Sequence, residues 1–239
     1  MSPKTNLAAD LTQPVVERVY CNAGNPPLIN LIDKNCKELL DIGCGTGGNA
    51  VLVKSAYKDC NIYGITHSHA EADLAQKMMV KCWIFDIEDR LPSDLADHHF
   101  DCLVFSHVLE HLRDPAEALT RFSRLLRKGG QVLIAVPNVL SWRMRLQFLM
   151  GNFTYESAGV LDDTHLRFFT YFTADQYLLS LSPDFEVTHK SASGSVPLWW
   201  LRRHVFPQAW SERIDQWGCR HWPNLFGGQV LISAVKKHT

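Results

Sequence analysis

Between residues 38 and 136, short apolar runs alternate with stretches of helical period, and no other feature constrains the fold of this chain as tightly. The runs at 38–42, 61–65, 81–85, 100–105 and 131–136 are bounded by Gly, Asp, Asn or Pro and read as strands. Helices are expected at 70–79 and 115–126, the second opening on Asp114-Pro115 and stopping at Gly129-Gly130. Strands that alternate with helices in this way build a parallel sheet with crossover helices. Further on, 173–181 reads as a helix, and 185–189 and 229–235 read as two closing strands.

Residues 1–36 precede the alternation and are expected to form a helical flap, with Pro26-Pro27 starting one segment. The remaining 37–239 then form one domain with two insertions, at about 137–172 and 190–228. The second insertion holds five of the seven tryptophans and is too long for a hairpin loop. A 46% hydrophobic composition over 239 residues excludes disorder for most of the chain. Net charge is −1, which supplies no counterion-release drive and excludes a non-specific nucleic-acid binder. Seven cysteines without a C-x-x-C pair, Cys21, Cys36, Cys44, Cys60, Cys82, Cys102 and Cys219, read as free structural thiols of a reducing compartment. With neither a signal-like N-terminus nor a run of 18 apolar residues, a cytoplasmic protein without stable membrane insertion is expected, as monomer or homodimer.

The strand at 38–42 runs into Gly43-Cys44-Gly45-Thr46-Gly47-Gly48, and glycines 43, 45 and 48 satisfy G-x-G-x-x-G. A dinucleotide is the usual ligand of that pattern, with its pyrophosphate on the helix N-terminus. Asp41 argues against it, because a carboxylate two residues before the first glycine would face phosphate charge. The same carboxylate suits a cationic ligand.

Leu39-Leu40-Asp41-Ile42-Gly43-Cys44-Gly45-Thr46-Gly47 resembles the first motif of class I S-adenosylmethionine (SAM)-dependent methyltransferases. The resemblance extends over roughly 38–137: Asp86-Ile87 after the third strand, Phe100-Asp101 through Glu110-His111, Leu125 to Gly130, and Pro137-Asn138 follow in the family's order. It implies an α/β, Rossmann-like, mostly parallel seven-stranded sheet with helices on both faces, the last strand antiparallel, and a helical aromatic insertion before that strand. SAM is the implied cofactor, with Asp41, Gly43, Cys44, Gly45, Thr66, Asp86, Ile87 and Ser106 as its site. In that site Asp41 would take the methionine ammonium, Gly43 and Gly45 would admit the backbone, and Asp86 and Ile87 would meet the adenine. One departure stands out: Thr66 occupies the place where the family usually puts an acid for the ribose hydroxyls.

Methyl transfer from a sulfonium needs an aligned nucleophile, excluded water and often a proton acceptor. His165, in Thr164-His165-Leu166-Arg167-Phe168-Phe169-Thr170, is the expected general base, and His107 the second candidate. The alternative for His165 is a histidine that fixes its loop. His107, Glu110 and His111 spell H-x-x-E-H and, with His165, resemble the E-x-x-E-H runs of small-RNA and ubiquinone-pathway O-methyltransferases. Because E-H after the fourth strand is widespread in metal-free methyltransferases, no metal is expected. Arg143, Arg145 and Arg167 are candidate ligands for an anionic substrate group, and Trp199 for an apolar one. Trp199, Phe206, Trp210, Ile214 and Trp217 fall within about 80° of one another at helical period, interrupted at Pro207. This stripe is expected to form a lid on the core or a subunit contact, closing over substrate rather than anchoring to lipid; the alternative is a surface for an apolar or lipid-linked substrate.

The expected function is methyl transfer from SAM, at oxygen, to a small molecule, glycan or lipid-linked precursor. Asn25-Pro26-Pro27-Leu28 has the letters of a nitrogen-methyltransferase motif but precedes the glycine loop and lacks the aromatic. Two other classes remain: a non-catalytic SAM-fold accessory protein, since Pro137-Asn138-Val139-Leu140-Ser141-Trp142-Arg143 also resembles one from methionine biosynthesis, and an NAD-dependent oxidoreductase.

Overall fold

A computed structural model describes residues 23–237. Its strands are β1 (Glu38–Ile42), β2 (Asn61–Thr66), β3 (Lys81–Ile84), β4 (Phe100–Ser106), β5 (Leu126–Pro137), β6 (Phe185–Gly194) and β7 (Gly227–Lys236). Between them run α1 (Pro26–Ile29), α2 (Gly48–Ala56), α3 (His69–Ala75), α4 (Ser93–Ala96) and α5 (Pro115–Phe122), followed by α6 (Trp142–Leu149), α7 (Ala174–Leu178), α8 (Trp199–Val205), α9 (Gln208–His221) and α10 (Pro223–Phe226). The sheet order is β3-β2-β1-β4-β5-β7-β6. β7 is antiparallel to both of its neighbours, while β1 to β5 pair in parallel. This is the expected mostly parallel sheet with its last strand reversed.

Successive side chains on a strand point to opposite faces, so a sheet covered on both sides needs apolar residues at consecutive positions. Leu39 joins one buried cluster with Ile62, Val104 and Leu133, while Leu40 joins the other with Ile65, Phe105 and Ile134. Leu28, Ile29 and Ile32 are buried in the first of these clusters, so the described part of the expected flap is core. Residues 1–22, with Cys21, lie outside the described residues.

Several boundaries differ from the sequence expectation. The helix expected to reach 126 ends at Phe122, and a single 3-10 turn over Ser123–Leu125 leads into β5. Gly129-Gly130 therefore lies within β5 instead of stopping a helix; the pairing with β4 shifts between Phe100 and Cys102, and Gly129 has φ 75°. α3 stops at Ala75. β6 runs five residues past the expected 189, to Gly194, because β7 pairs with it along nearly its whole length. These changes leave the carboxyl edge intact, and from that edge leave the glycine loop, the turn after β4, and the excursions after β5 and β6.

Candidate active site

At the end of β1 the chain turns through Gly43, Gly45 and Gly47, with φ 72°, 52° and 90°. A Cβ on Gly43 would stand 2.4 Å from a methyl of Val108, so the close approach requires glycine there. Asp41 lies beneath this turn, 1% exposed. Its Oδ1 accepts a hydrogen bond from Asn49 Nδ2 at 3.2 Å, while Oδ2 is buried with no partner. Burial pushes the Asp41 carboxyl up to about 7, against the Asn49 hydrogen bond. An unpartnered buried carboxylate oxygen beside a glycine cradle is a place for a cation.

Cys44 is buried, with its Sγ 3.7 Å from that of Cys82, and its backbone N–H donates to Ile65 at 2.9 Å, holding the loop against β2. The six cysteines among the described residues are free and buried. At the end of β2, Thr66 is buried and donates its hydroxyl to Glu71, whose own N–H donates to Ser68 Oγ at 3.2 Å. Ser68 and Glu71 thus form the first turn of α3, and a carboxylate sits directly behind the hydroxyl that replaces the expected ribose acid. Glu71 escaped the sequence reading, although the Ser-x-x-Glu spacing at 68–71 signals such a helix start. Asp86 is exposed after β3 and accepts from the Glu88 N–H at 2.8 Å, with Ile87 half-buried beside it.

The turn after β4 gathers the histidines. His107 has φ 57°, an uncommon conformation for a residue with a side chain. Its Nε2 lies 2.8 Å from Gln229 Oε1 and its Nδ1 3.3 Å from Glu110 Oε1, so both ring nitrogens face acceptors. Burial disfavours charge on His107, but the Glu110 carboxylate and Gln229 outweigh it and raise its pKa. Glu110 is 1% exposed; its Oε1 faces His107 at 3.3 Å, while Oε2 has no hydrogen-bond partner.

His165, from the excursion after β5, brings Nε2 to 4.0 Å from Glu110 Oε1. Its Nδ1 lies 3.0 Å from the Val160 carbonyl, which fixes the proton on Nδ1 and leaves the Nε2 lone pair free in the neutral ring. His111 is held likewise: Asp162 accepts from the Thr164 hydroxyl, and Thr164 Oγ1 in turn accepts from His111 Nδ1 at 2.9 Å. Burial lowers the His111 pKa, against the Glu110 charge. The His111 and His165 rings meet edge to face, 4.6 Å between centroids. One ligand atom from each of Glu110, His111 and His165 lies within 4.8 Å of the others, a set that could hold a divalent ion.

A polar chain absent from the sequence reading joins the two halves of the site. Asn25 N–H donates to Asn49 Oδ1 at 2.9 Å, and Asn25 Nδ2 donates to Gln229 Oε1 at 2.9 Å and to Ser106 Oγ at 3.4 Å. Asp41, Asn49, Asn25, Gln229, His107 and Glu110 are thereby linked in series. The segments that contribute them are up to 204 residues apart in sequence, so no local pattern could have revealed the link.

The candidate arginines are engaged locally, although the Arg167 backbone N–H donates to the Glu110 carbonyl at 3.0 Å. Arg145 Nε donates to the Leu140 carbonyl at 2.7 Å, Arg143 lies over the Trp142 ring, and Arg167 donates to the Arg113 carbonyl. The three guanidiniums therefore hold their own loops and form no common fork. Trp199 opens α8 and is exposed.

The methyltransferase domain family matches residues 18–181. The chain belongs to it. Among solved structures, a SAM-dependent methyltransferase from Archaeoglobus fulgidus aligns over 88% of this chain and 89% of its own, with a TM-score of 0.58 and 21% identity. The plantazolicin methyltransferase BpumL, in complex with S-adenosylhomocysteine (SAH), aligns over 85% and 77% with a TM-score of 0.55 and 17% identity. Fold and cofactor class are those of the SAM-dependent methyltransferases. Curated relatives include O-methyltransferase rstn1 of Aspergillus nomiae, 36% identical over 41% of this chain and 46% of its own length. The ubiquinone biosynthesis O-methyltransferase of Pseudomonas aeruginosa is 30% identical over 48% and 52%, and the ajmaline N-methyltransferase of Rauvolfia serpentina 29% over 43% and 36%. This methyltransferase thus matches about half or less of the length of those relatives.

Proposed function

We propose that this methyltransferase moves the SAM methyl group to an oxygen of a small molecule, glycan or lipid-linked acceptor. The observation that carries the reading is the pairing of the unpartnered Asp41 Oδ2 with the glycine turn, on the same strand edge as the Glu110 and histidine cluster. In this reading Asp41 takes the methionine ammonium, Gly43, Cys44 and Gly45 line the methionine, and Thr66 with Glu71 behind it faces the ribose. Asp86 and Ile87 border the adenine, and Ser106 closes the floor. The acceptor oxygen attacks the methyl in line, its proton passes to His165 Nε2, and SAH leaves as a neutral thioether. Glu110 stabilises the imidazolium that forms, and His107 flanks it. Oxygen is favoured by the O-methyltransferases among the relatives, and nitrogen remains the competing acceptor atom because an N-methyltransferase is among them.

An accessory protein without catalysis would tolerate losing the cofactor groups, whereas Asp41, the glycines and Asp86 are all present. An NAD-binding reading places pyrophosphate against Asp41, which repels it. Isothermal titration with SAM, SAH and NAD, followed by transfer of labelled methyl from SAM into fractionated extract, tests the reading. SAM binding with a methylated product is expected, and NAD binding without SAM binding would overturn it.

A second reading rests on Glu110, whose buried Oε2 lacks a hydrogen-bond partner, with a ligand atom of His111 and of His165 close to the carboxylate. In it Glu110, His111 and His165 would hold a divalent ion, which would supply a Lewis acid for the acceptor hydroxyl. Loss of turnover on chelation, restored by a divalent metal, selects this reading over the general base.

A further inference from the structure

The aromatic stripe of the second insertion faces outward. α9 packs on β6, and its Ser211, Gly218 and Cys219 are buried; a Cβ on Gly218 would stand 2.3 Å from Val196, just past the end of that strand. Small residues on one side bring the helix close to the strand, which leaves Trp210 and Trp217 on the other side, 60% and 53% exposed. α8 adds Trp200 and Val205, also exposed, and Pro207 divides the two helices as expected. Trp210, Arg213, Ile214 and Trp217 line a groove of about 240 Å³. The expected lid on the core is thus corrected to an exposed apolar face.

Charge says what suits that face. Residues 195–226 contain four arginines and two acids, and one of these acids, Asp215, is occupied by Arg202 at 2.7 Å. The excursion at 138–172 is balanced, with three arginines and three acids, so the surplus belongs to residues 195–226. Both segments leave the sheet at its carboxyl edge and are tied where Trp142 Nε1 donates to the Ser195 carbonyl at 2.8 Å. α6 starts there and runs away to Leu149, where Leu149 and Met150 are exposed. A two-fold contact between copies would set this cationic surplus against itself. Tryptophan rings beside arginines suit the boundary between anionic headgroups and acyl chains. No helix among the described residues is long and apolar enough to cross a membrane, so contact is at the surface.

We propose that α8 and α9 dock this protein on an anionic phospholipid surface, so that the carboxyl edge of the sheet faces the headgroups. The inference stands apart from the methyl-transfer reading, since lipid binding needs no SAM. The test is sedimentation of the full chain with vesicles of phosphatidylcholine, with and without phosphatidylglycerol, at two salt concentrations. Binding is expected with the anionic vesicles, weaker at high salt. Arg213→Gln should reduce the partition roughly fivefold, and Trp210→Ser combined with Trp217→Ser about tenfold or more. Unchanged SAH affinity in these variants shows that they are folded. Failure of the wild type to sediment with anionic vesicles overturns the proposal. So does self-association in ultracentrifugation that the tryptophan variants abolish, which gives the face to a second copy.

Discussion

The cofactor half of the sheet and the acceptor half are built by different rules. Around β1, β2 and β3 each candidate residue sits at the end of its strand or in the turn that directly follows, held by backbone geometry: positive φ at Gly43 and Gly45, a helix start at Ser68 and Glu71. After β4 the local residues His107 and Glu110 are joined by groups that reach them only through tertiary contacts, His165 from the excursion after β5 and Gln229 from β7. Where position follows from the turn itself, function can be transferred by motif. Where it depends on distant segments meeting, substrate choice can vary while the cofactor half stays fixed.

That contrast predicts a clean separation of effects. His165→Ala should reduce turnover by roughly 10² to 10⁴ while leaving SAM affinity near wild type, measured by methyl transfer and calorimetry. Parallel loss of SAM binding or thermal stability would join the two halves and make His165 structural. Asp41→Ala should act on the other half, weakening SAM by about 1.5 to 3 kcal/mol, as loss of a charge-assisted hydrogen bond does.

The Asp41 carboxyl sharpens the comparison through pH. Its folded pKa, about 7, lies above the ordinary carboxylate value, so its ionisation costs stability as pH rises from the ordinary range through 7. A bound ammonium removes that cost. SAM should therefore raise the melting temperature more at pH 8 than at pH 6, and a pH-independent increment would remove Asp41 from the ammonium site. Gly43→Ala, which meets Val108 at a positive φ, should cost about 1 to 2 kcal/mol of stability, read by denaturant melts.

The smallest expected effect probes the link between the halves. Asn25→Ala removes the bridge from Asn49 to Gln229 and should reduce turnover several-fold, with about 1 kcal/mol or less lost in SAM affinity. Equal loss in both would make Asn25 a support of the glycine loop alone.

The sequence by itself determined the strand and helix rhythm, the direction of the sheet, and the residues of the glycine turn. These are local consequences of period and backbone conformation. Gly129-Gly130 marked an irregularity correctly, but whether it stopped a helix or kinked a strand depended on β4 lying alongside. Helical period placed Trp210 and Trp217 on one stripe, yet a period is the same whether its stripe faces the core or solvent. Only the burial of Ser211, Gly218 and Cys219 on the other side of α9 decided that the aromatics face outward. In the same way, the pattern at 107–111 named Glu110 and two histidines, and the folding of residue 165 over the strand ends brought a third imidazole to that carboxylate. Burial then decided its setting, because a carboxylate out of water is matched by the imidazoles that surround it.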